Sequence, residues 1–150
     1  MTKQLPNLLI VEDSDEDYEA TTRALRKAKA QCEVSRTVHG DDALNYLYKL
    51  GKYTELETVT RPSIILLDLN LPGTDGRDVL EQIKNDAKLR TIPVVVLTTS
   101  SNPKDIETCY QNGANSYIVK PVNFIEFMQI IESFSRYWLK SVIFLEDLER

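Results

Sequence analysis

Five short apolar segments recur along the chain, and amphipathic stretches separate them. Three of the segments contain Val, Ile and Leu without polar alternation, which is typical of strands covered on both faces. Because strand and helix patterns alternate, we predict a parallel sheet with helices on both faces and right-handed crossovers. The predicted strands are Leu8–Val11, Val34–Val38, Ile64–Leu67, Val94–Leu97 and Tyr117–Val119.

The stretches between these strands carry apolar residues at helical spacing. A loop is predicted over Gly51–Arg61, and a longer fifth helix begins near Asn123. We expect each apolar stripe to face the sheet. The five stripes are Tyr18, Thr21, Leu25 and Ala28; Ala43, Leu44, Leu47 and Leu50; Val79, Leu80 and Ile83; Ile106, Cys109 and Tyr110; and Phe124, Phe127, Met128, Ile131, Phe134 and Trp138.

Composition narrows the class of protein. A chain of 150 residues with 42% apolar and 27% charged residues is typical of one globular domain. The net charge of −5 argues against non-specific nucleic-acid binding. No apolar stretch approaches the roughly 20 residues that span a bilayer, and no signal peptide is evident. We therefore expect a cytoplasmic protein that contacts neither nucleic acid nor membrane, with Cys32 and Cys109 as free thiols.

Chemically capable residues follow four of the five predicted strands. The first strand leads into Glu12-Asp13, the third into Asp68, the fourth into Thr98-Thr99-Ser100 and the fifth into Lys120-Pro121. Ligands of parallel α/β sheets bind beyond the carboxyl ends of the strands, so these side chains are expected to converge. Three carboxylates without Cys or paired His favour a hard cation, and Mg²⁺ is the natural candidate.

This set of side chains suits acceptance of a phosphoryl group. A carboxylate can be phosphorylated directly, and a divalent cation would relieve the repulsion that otherwise raises carboxyl pKa values. Lys120 can supply a full positive charge, and the Thr98 hydroxyl a hydrogen-bond donor, to the phosphoryl oxygens. We predict that Asp68 is the nucleophile.

Each residue also has a simpler interpretation. Asp13 or Ser14 could cap the first helix, and Thr98 and Thr99 could cap the fourth. Asp68 could be a turn residue. Lys120 could be solvated, unless a cis bond to Pro121 directs it inward. Convergence of four strand ends favours one shared site over four independent explanations.

Several stretches together resemble response-regulator receiver domains over residues 6–139. The resemblance implies a doubly wound five-stranded parallel sheet of order 2-1-3-4-5, the flavodoxin-like or CheY-like three-layer α/β sandwich. The matching stretches are LLIVEDS (8–14), GDDAL (40–44), IILLDLNLPGTDG (64–76), IPVVVLTTS (92–100) and GANSYIVKP (113–121).

The resemblance also implies a role for each site residue. Where many members have an Asp-Asp pair, this chain has Glu12-Asp13. The resemblance implies that Asp13 binds Mg²⁺ directly and that Glu12 holds it either directly or through water. The implied assignments are Asp68 as phosphoacceptor; Glu12, Asp13, Asp68 and the backbone carbonyl of Asn70 as ligands of Mg²⁺, for which Mn²⁺ or Ca²⁺ can substitute; Lys120 as the phosphate-pairing lysine; Thr98 and Tyr117 as switch residues; and Pro121 as a cis proline.

Within the family, the chain is similar to small stand-alone regulators that pair with cyanobacterial phytochrome histidine kinases. The implied partner is a sensor histidine kinase, and the implied activity is Mg²⁺-dependent self-phosphorylation and self-dephosphorylation without other enzymatic turnover. We interpret residues 1–150 as a single receiver domain with an apolar extension over residues 140–150. Ile125, Ile130 and Tyr137 lie outside the fifth stripe, so we predict a homodimer through the fifth helix and tail. A tail folded onto its own domain is the alternative.

Three other functions compete with this interpretation. A phosphatase that uses Asp68 would need a second Asp two residues later, where this chain has Asn70. A flavin-binding protein of similar fold would need a Ser/Thr-rich loop after the first strand, where this chain has Glu12-Asp13. A degenerate receiver that acts only through protein contacts would not need the complete set of phosphorylation-site residues that this chain has.

Overall fold

A computed structural model of the protein describes residues 4–55 and 59–149. Strands and helices alternate along the chain, and α5 continues without a break as a wider, π-type helix over Ser135–Ser141. Single 3₁₀ turns lie at Gly51–Tyr53 and Leu145–Glu149. The elements are β1 Asn7–Val11, α1 Asp15–Lys27, β2 Glu33–Thr37, α2 Gly40–Tyr48, β3 Ile64–Leu67, α3 Gly76–Asn85, β4 Val94–Thr98, α4 Pro103–Gln111, β5 Ser116–Val119 and α5 Phe124–Phe134.

The five strands form one parallel sheet of order β2-β1-β3-β4-β5, which confirms the predicted topology. Val11 pairs with Leu67, so the residues that follow β1 and β3 leave the sheet side by side. Thr98, the last residue of β4, pairs with Val119, the last residue of β5. The register therefore brings four strand ends to one edge of the sheet.

Apolar side chains fill the space on both faces of the sheet. Leu9 and Val11 contribute to the layer under α2, α3 and α4, whereas Leu8 and Ile10 contribute to the layer under α1 and α5. The strands β1, β3 and β4 are buried along their whole length, as the uninterrupted apolar pattern predicts. Burial of this kind supplies about 25 cal/mol for each Å² of apolar surface and fixes the positions of the strand ends.

The predicted helix stripes are correct except at three residues, Leu50, Tyr110 and Phe124, which are exposed. Helix α2 ends at Tyr48, and Lys49 has a left-handed backbone with φ of 57°, so Leu50 leaves the helical stripe. Helix α4 buries only Cys109. Phe124 is the first residue of α5, where the helix has not yet reached the core. Predicted strand ends differ from the observed ones by one residue at most.

The tail after α5 partly returns to the domain. Phe144 is buried in the layer under α1 and α5, and the Ser63 hydroxyl donates a hydrogen bond to the Glu146 carboxylate. Ile143, Leu145 and Leu148 remain exposed. The folded-back tail therefore accounts for only part of the apolar surface. Among residues 4–55 and 59–149, no helix has the length and apolar character that crossing a membrane requires.

A close backbone contact at Gly76 connects α3 to the segment after β3. A Cβ atom on Gly76 would lie 2.2 Å from the Asp68 carbonyl oxygen and 2.6 Å from the Leu69 Cα atom. Both neighbours are backbone atoms, so neither can move aside without displacing the end of β3. Only glycine allows α3 to begin at this point.

We expect Gly76→Ala to lower the free energy of unfolding by about 3 kcal/mol, because overpacking against rigid atoms costs about 1–3 kcal/mol and occasionally more. Urea unfolding measures the change. Gly51→Ala is the control: its Cβ would meet nothing within 4 Å, and its φ of +59° costs only about 1–2 kcal/mol. Wild-type stability of Gly76→Ala would contradict the described contact.

Candidate functional site

The polar residues at the carboxyl ends of β1, β3, β4 and β5 lie together, as predicted. Glu12, Asp68, Thr98 and Lys120 are buried, whereas Asp13 is exposed. One carboxylate oxygen each from Glu12, Asp13 and Asp68 lies within 4.8 Å of the other two. Three acidic residues that are far apart in the sequence therefore form one cluster at the carboxyl edge of the sheet.

The Lys120 ammonium group neutralises part of this cluster. Its Nζ donates to Glu12 Oε1 at 2.7 Å and to Asp68 Oδ2 at 2.9 Å. A third carboxylate, that of Asp17 in α1, accepts at 2.8 Å. An ammonium group has three N–H donors, and all three are used here on charged acceptors.

Burial and charge shift the pKa values of this group in opposite directions. Burial raises the pKa of Glu12 to about 7, with a further contribution from the Asp68 charge, and the contacts with Lys120 only partly offset the rise. Burial by itself would lower the pKa of Lys120, but the hydrogen bonds from its ammonium to Asp17, Glu12 and Asp68 outweigh burial and hold that pKa above its ordinary value. Lys120 is thus a permanent cation in a cluster that carries excess negative charge.

The donor set fits a divalent cation. All available ligand atoms are hard oxygens, and Mg²⁺ prefers one or two carboxylates with several waters. Lys120 uses only one oxygen of Glu12 and one of Asp68; the other oxygens accept the N–H groups of Ser14 and Asn70 at 3.3 Å each. The Asn70 hydrogen bond holds the turn after β3 beside Asp68. Coordination by the Asn70 carbonyl stays a prediction.

Arg36 in β2 fixes the loop that carries Glu12 and Asp13. Its Nε and Nη2 atoms donate to the Glu12 backbone carbonyl at 3.1 and 3.0 Å. Nη2 also lies 2.8 Å from the Asp15 carboxylate, and the guanidinium carbon lies 4.4 Å from the centre of the Tyr18 ring. The arginine therefore connects β2, the β1–α1 loop and the first turns of α1.

A second network connects Thr98 with Tyr117 and with α4. Ser100 is its centre: the Ser100 N–H donates to Thr98 Oγ1 at 3.4 Å, and the Ser100 carbonyl accepts the Tyr117 hydroxyl at 2.8 Å. The Ser100 hydroxyl donates to Asp105 Oδ2 at 2.6 Å. Asp105 in turn accepts two hydrogen bonds of 2.9 Å from the Arg77 guanidinium in α3.

The structure shows which of the simpler interpretations of the site residues are correct. Ser14 does cap α1, because its side chain accepts the Asp17 N–H. The N-cap of α4 is Asn102, so the interpretation of Thr98 and Thr99 as caps is wrong. Lys120 is buried and paired with carboxylates, so the solvated interpretation of this lysine is also wrong.

The prediction of a cis bond before Pro121 is wrong. All peptide bonds within residues 4–55 and 59–149 are trans. The trans form of an X–Pro bond is favoured by about 0.5–1 kcal/mol. Lys120 points inward without the cis form, since its ammonium contacts Glu12 and Asp68. Its backbone N–H donates to the Thr98 carbonyl at 2.7 Å and so holds the end of β5 beside β4.

Sequence reasoning missed four residues of these networks, and it named Ser100 at the end of the fourth strand without giving it a role. For Asp17 a signal was present: Ser14-x-x-Asp17 matches a capping box, in which the acidic residue contacts the helix start. The Asp17 carboxylate contacts Lys120 instead, 103 residues away. For the others no local pattern predicts a partner, because each contact joins separate elements. The missed residues are Asp17, Arg36, Arg77 and Asp105.

Comparison with known families identifies the class of protein. The model of the response regulator receiver domain matches residues 8–132. The chain therefore belongs to the response regulator receiver domain family, whose members are phosphoacceptor regulators.

Curated relatives cover nearly the whole chain. Response regulator Rcp1 from Synechocystis sp. is 38% identical over 135 residues, which is 90% of each protein. The "Probable methanogenesis regulatory protein FilR2" from Methanothrix harundinacea is also 38% identical, over 132 residues, covering 88% of this chain and 83% of FilR2. The chain is thus equally similar to a response regulator of Synechocystis and to a probable methanogenesis regulatory protein.

Solved structures show the same fold. The Mn²⁺-bound form of Rcp1 superposes with a TM-score of 0.87 at 36% identity, over 93% of this chain and 98% of that one. The phosphorylated cyanobacterial phytochrome response regulator RcpA superposes with a TM-score of 0.88 at 38% identity, over 95% and 99%. Relatives of this chain thus include a metal-bound and a phosphorylated receiver.

We expect Lys120→Met to lower the free energy of unfolding by about 3–5 kcal/mol at pH 8 without divalent metal, because buried carboxylates lose their cation. Loss of the ammonium raises the Glu12 pKa further. The mutation's cost should then shrink as the pH falls toward about 7, because Glu12 takes up a proton at a higher pH in the variant than in wild type, and should level off below about 7. Urea unfolding at several pH values measures this effect, with the exposed Lys104→Met as control. A cost that does not change with pH would contradict the account.

The Arg77–Asp105 ion pair should be worth about 1 kcal/mol in a double-mutant cycle of Arg77→Gln and Asp105→Asn at pH 6. The hydrogen bonds from Arg77 and Ser100 lower the Asp105 pKa from 3.8 to about 2. A depressed carboxyl pKa contributes stability above 3.8 that is lost as the pH falls through about 2. Denaturant unfolding between pH 6 and 2 checks this; a coupling that persists at pH 2 would exclude the ion pair as its source.

Proposed function

We propose that the protein is a two-component response regulator whose Asp68 accepts a phosphoryl group from a phosphohistidine of a sensor histidine kinase. The observation that carries the proposal is the position of Asp68 Oδ2, 2.9 Å from the Lys120 ammonium within the cluster of three carboxylates. Family membership supports it, since receivers are phosphoacceptors. The Mn²⁺-bound structure of Rcp1 supports a divalent metal at the cluster.

The transfer requires little from the protein beyond position and charge. A carboxylate oxygen of Asp68 attacks phosphorus, the bond from phosphorus to the donor nitrogen breaks, and the electron pair of that bond leaves with the imidazole. Lys120 and the Thr98 hydroxyl then contact the phosphoryl oxygens. Mg²⁺, held by Glu12, Asp13, Asp68 and the Asn70 carbonyl, would supply the remaining positive charge. Hydrolysis of the acyl phosphate by water at the same site returns the resting state.

Phosphorylation is proposed to act through the network around Ser100. The added charge of about −1.5 to −2 attracts the Thr98 hydroxyl. Thr98 Oγ1 now accepts the Ser100 N–H, and the Tyr117 hydroxyl donates to the Ser100 carbonyl. A shift of Thr98 therefore disturbs the segment that holds Tyr117, and Tyr117 moves toward the space that Thr98 vacates. The surface of α4, β5 and α5 would carry this change to a target.

The histidine kinase is proposed to be of the phytochrome class, and the location cytoplasmic. Similarity to RcpA, a phytochrome response regulator, supports the kinase class. FilR2 is equally identical, so a kinase with another sensor is the competing candidate. Phosphotransfer rates from a phytochrome kinase and from an unrelated kinase would decide between them.

To test acceptance at Asp68, the protein is incubated with acetyl phosphate and Mg²⁺ and its intact mass is followed. We expect wild type and the control Asp78→Asn, which alters an exposed residue of α3, to gain one phosphoryl group, and Asp68→Asn to gain none. Asp13→Asn should react at least about tenfold more slowly, because loss of a metal ligand weakens metal binding. Uptake of phosphate by Asp68→Asn at the wild-type rate would refute the proposal.

We also propose that the chain is one receiver domain whose extension, residues 140–150, joins α5 in a two-fold homodimer. Ile125, Tyr137, Ile143, Leu145 and Leu148 are large exposed apolar residues on these segments. Exposed apolar patches mark interfaces. Light scattering at tens of micromolar should give twice the monomer mass for wild type and a monomer for Ile143→Asp/Leu148→Asp. A wild-type monomer with and without phosphorylation would reject the dimer.

A further inference from the structure

Asp17 is the one carboxylate bonded to Lys120 that does not belong to the three-carboxylate cluster. The other two partners of the ammonium, Glu12 and Asp68, are both members of that cluster. After phosphoryl transfer, the Lys120 N–H that now donates to Asp68 must donate to a phosphoryl oxygen instead. We propose that Asp17 is a positioning residue, which holds the Lys120 ammonium so that this proton points at the reacting group. The inference rests on the proposed acceptance of a phosphoryl group by Asp68.

A lysine needs such support because its charge is carried on a flexible four-carbon stem that can adopt many rotamers. Glu12 and Asp17 hold two of the three protons, at 2.7 and 2.8 Å. The two residues belong to different elements, the end of β1 and the first turn of α1. Two fixed acceptors define the direction of the third N–H bond, whereas one acceptor would leave the ammonium free to rotate.

The backbone of Asp17 is itself held in place. Its N–H donates to Ser14 Oγ at 3.2 Å, and its carbonyl accepts the Thr21 hydroxyl at 2.7 Å. Its side chain is 39% exposed, compared with 5% for that of Glu12. Asp17 therefore keeps contact with solvent while its carboxylate accepts a hydrogen bond from Lys120.

The simpler explanation is that Asp17 only stabilises α1. Acidic residues in the first turn of a helix interact favourably with its dipole. Asp15, Glu16 and Asp17 all lie in that turn. Glu16 is exposed, so Glu16→Gln removes one first-turn charge without touching Lys120. It is the matched control for any substitution of Asp17.

The experiment uses acetyl phosphate and Mg²⁺ with the full chain. In this reaction an Asp68 oxygen bonds to phosphorus, and acetate leaves with the electron pair of the broken P–O bond. The variants are Asp17→Ala, Asp17→Asn, Asp17→Glu and Glu16→Gln. Four quantities are measured: the maximum phosphorylation rate, the half-saturating acetyl phosphate concentration, the affinity for beryllofluoride with Mg²⁺, and the affinity for Mg²⁺ alone.

We expect Asp17→Ala to lower the maximum rate and the beryllofluoride affinity at least about tenfold, the size expected for loss of a charge-assisted hydrogen bond. Mg²⁺ affinity should change no more than in Glu16→Gln, because Asp17 supports the lysine and not the metal. Asp17→Asn, which keeps an acceptor oxygen without the charge, should be intermediate. Asp17→Glu should restore most of the rate.

Equal behaviour of Asp17→Ala and Glu16→Gln would overturn the positioning role, as would a rate loss matched by an equal loss of Mg²⁺ affinity. Thermal unfolding shows whether Asp17→Ala is folded; if it is not, the isosteric Asp17→Asn decides the question by the same criteria. Failure of wild type to take up phosphate would instead refute the proposed function. The two failures are therefore distinguishable.

Discussion

The site depends on one buried ammonium group that balances several carboxylates. Isolated charges are expensive to bury, and Glu12 and Asp68 are both buried beside each other. The Lys120 ammonium offsets part of this free-energy cost. It cannot neutralise the cluster, because one positive charge faces Glu12, Asp17 and Asp68. The remaining negative charge is what makes the cluster a suitable site for a divalent cation. The excess negative charge thus destabilises the protein without a metal and also favours binding of a divalent cation.

The sheet order makes this charge balance possible. Because β1 lies between β2 and β3, and β4 lies between β3 and β5, the carboxyl ends that carry the acids, the hydroxyl and the lysine are consecutive neighbours. The buried strands fix these ends, and the Gly76 contact holds α3 against the segment after Asp68. Around this rigid edge, Ser100 connects Thr98 and Tyr117 with the Arg77–Asp105 pair. A change of charge at Asp68 would therefore occur beside a hydrogen-bonded network that reaches α3 and α4.

Sequence patterns predicted the features that depend on residues close together in the chain. Apolar runs gave the strands, and the residue types after them gave Glu12, Asp68, Thr98 and Lys120, because parallel topology places strand ends together. The patterns could not give the partner of Asp17 or the contacts of Arg36, since those depend on how a helix or a neighbouring strand is oriented in space. They also overestimated burial at Phe124 and Leu50, because a helical stripe does not show where the helix starts or ends. The trans bond before Pro121 also differs from the family-based expectation.

The most direct test of the account is to locate the phosphoryl group itself. After incubation with acetyl phosphate and Mg²⁺, borohydride reduces an aspartyl phosphate to homoserine, and peptide mass spectrometry identifies the altered residue. The account predicts homoserine at position 68 and unchanged aspartate at positions 13 and 17. Homoserine at position 13 or 17, or phosphate retained at a position where borohydride has no effect, would contradict the assignment of Asp68 as the acceptor.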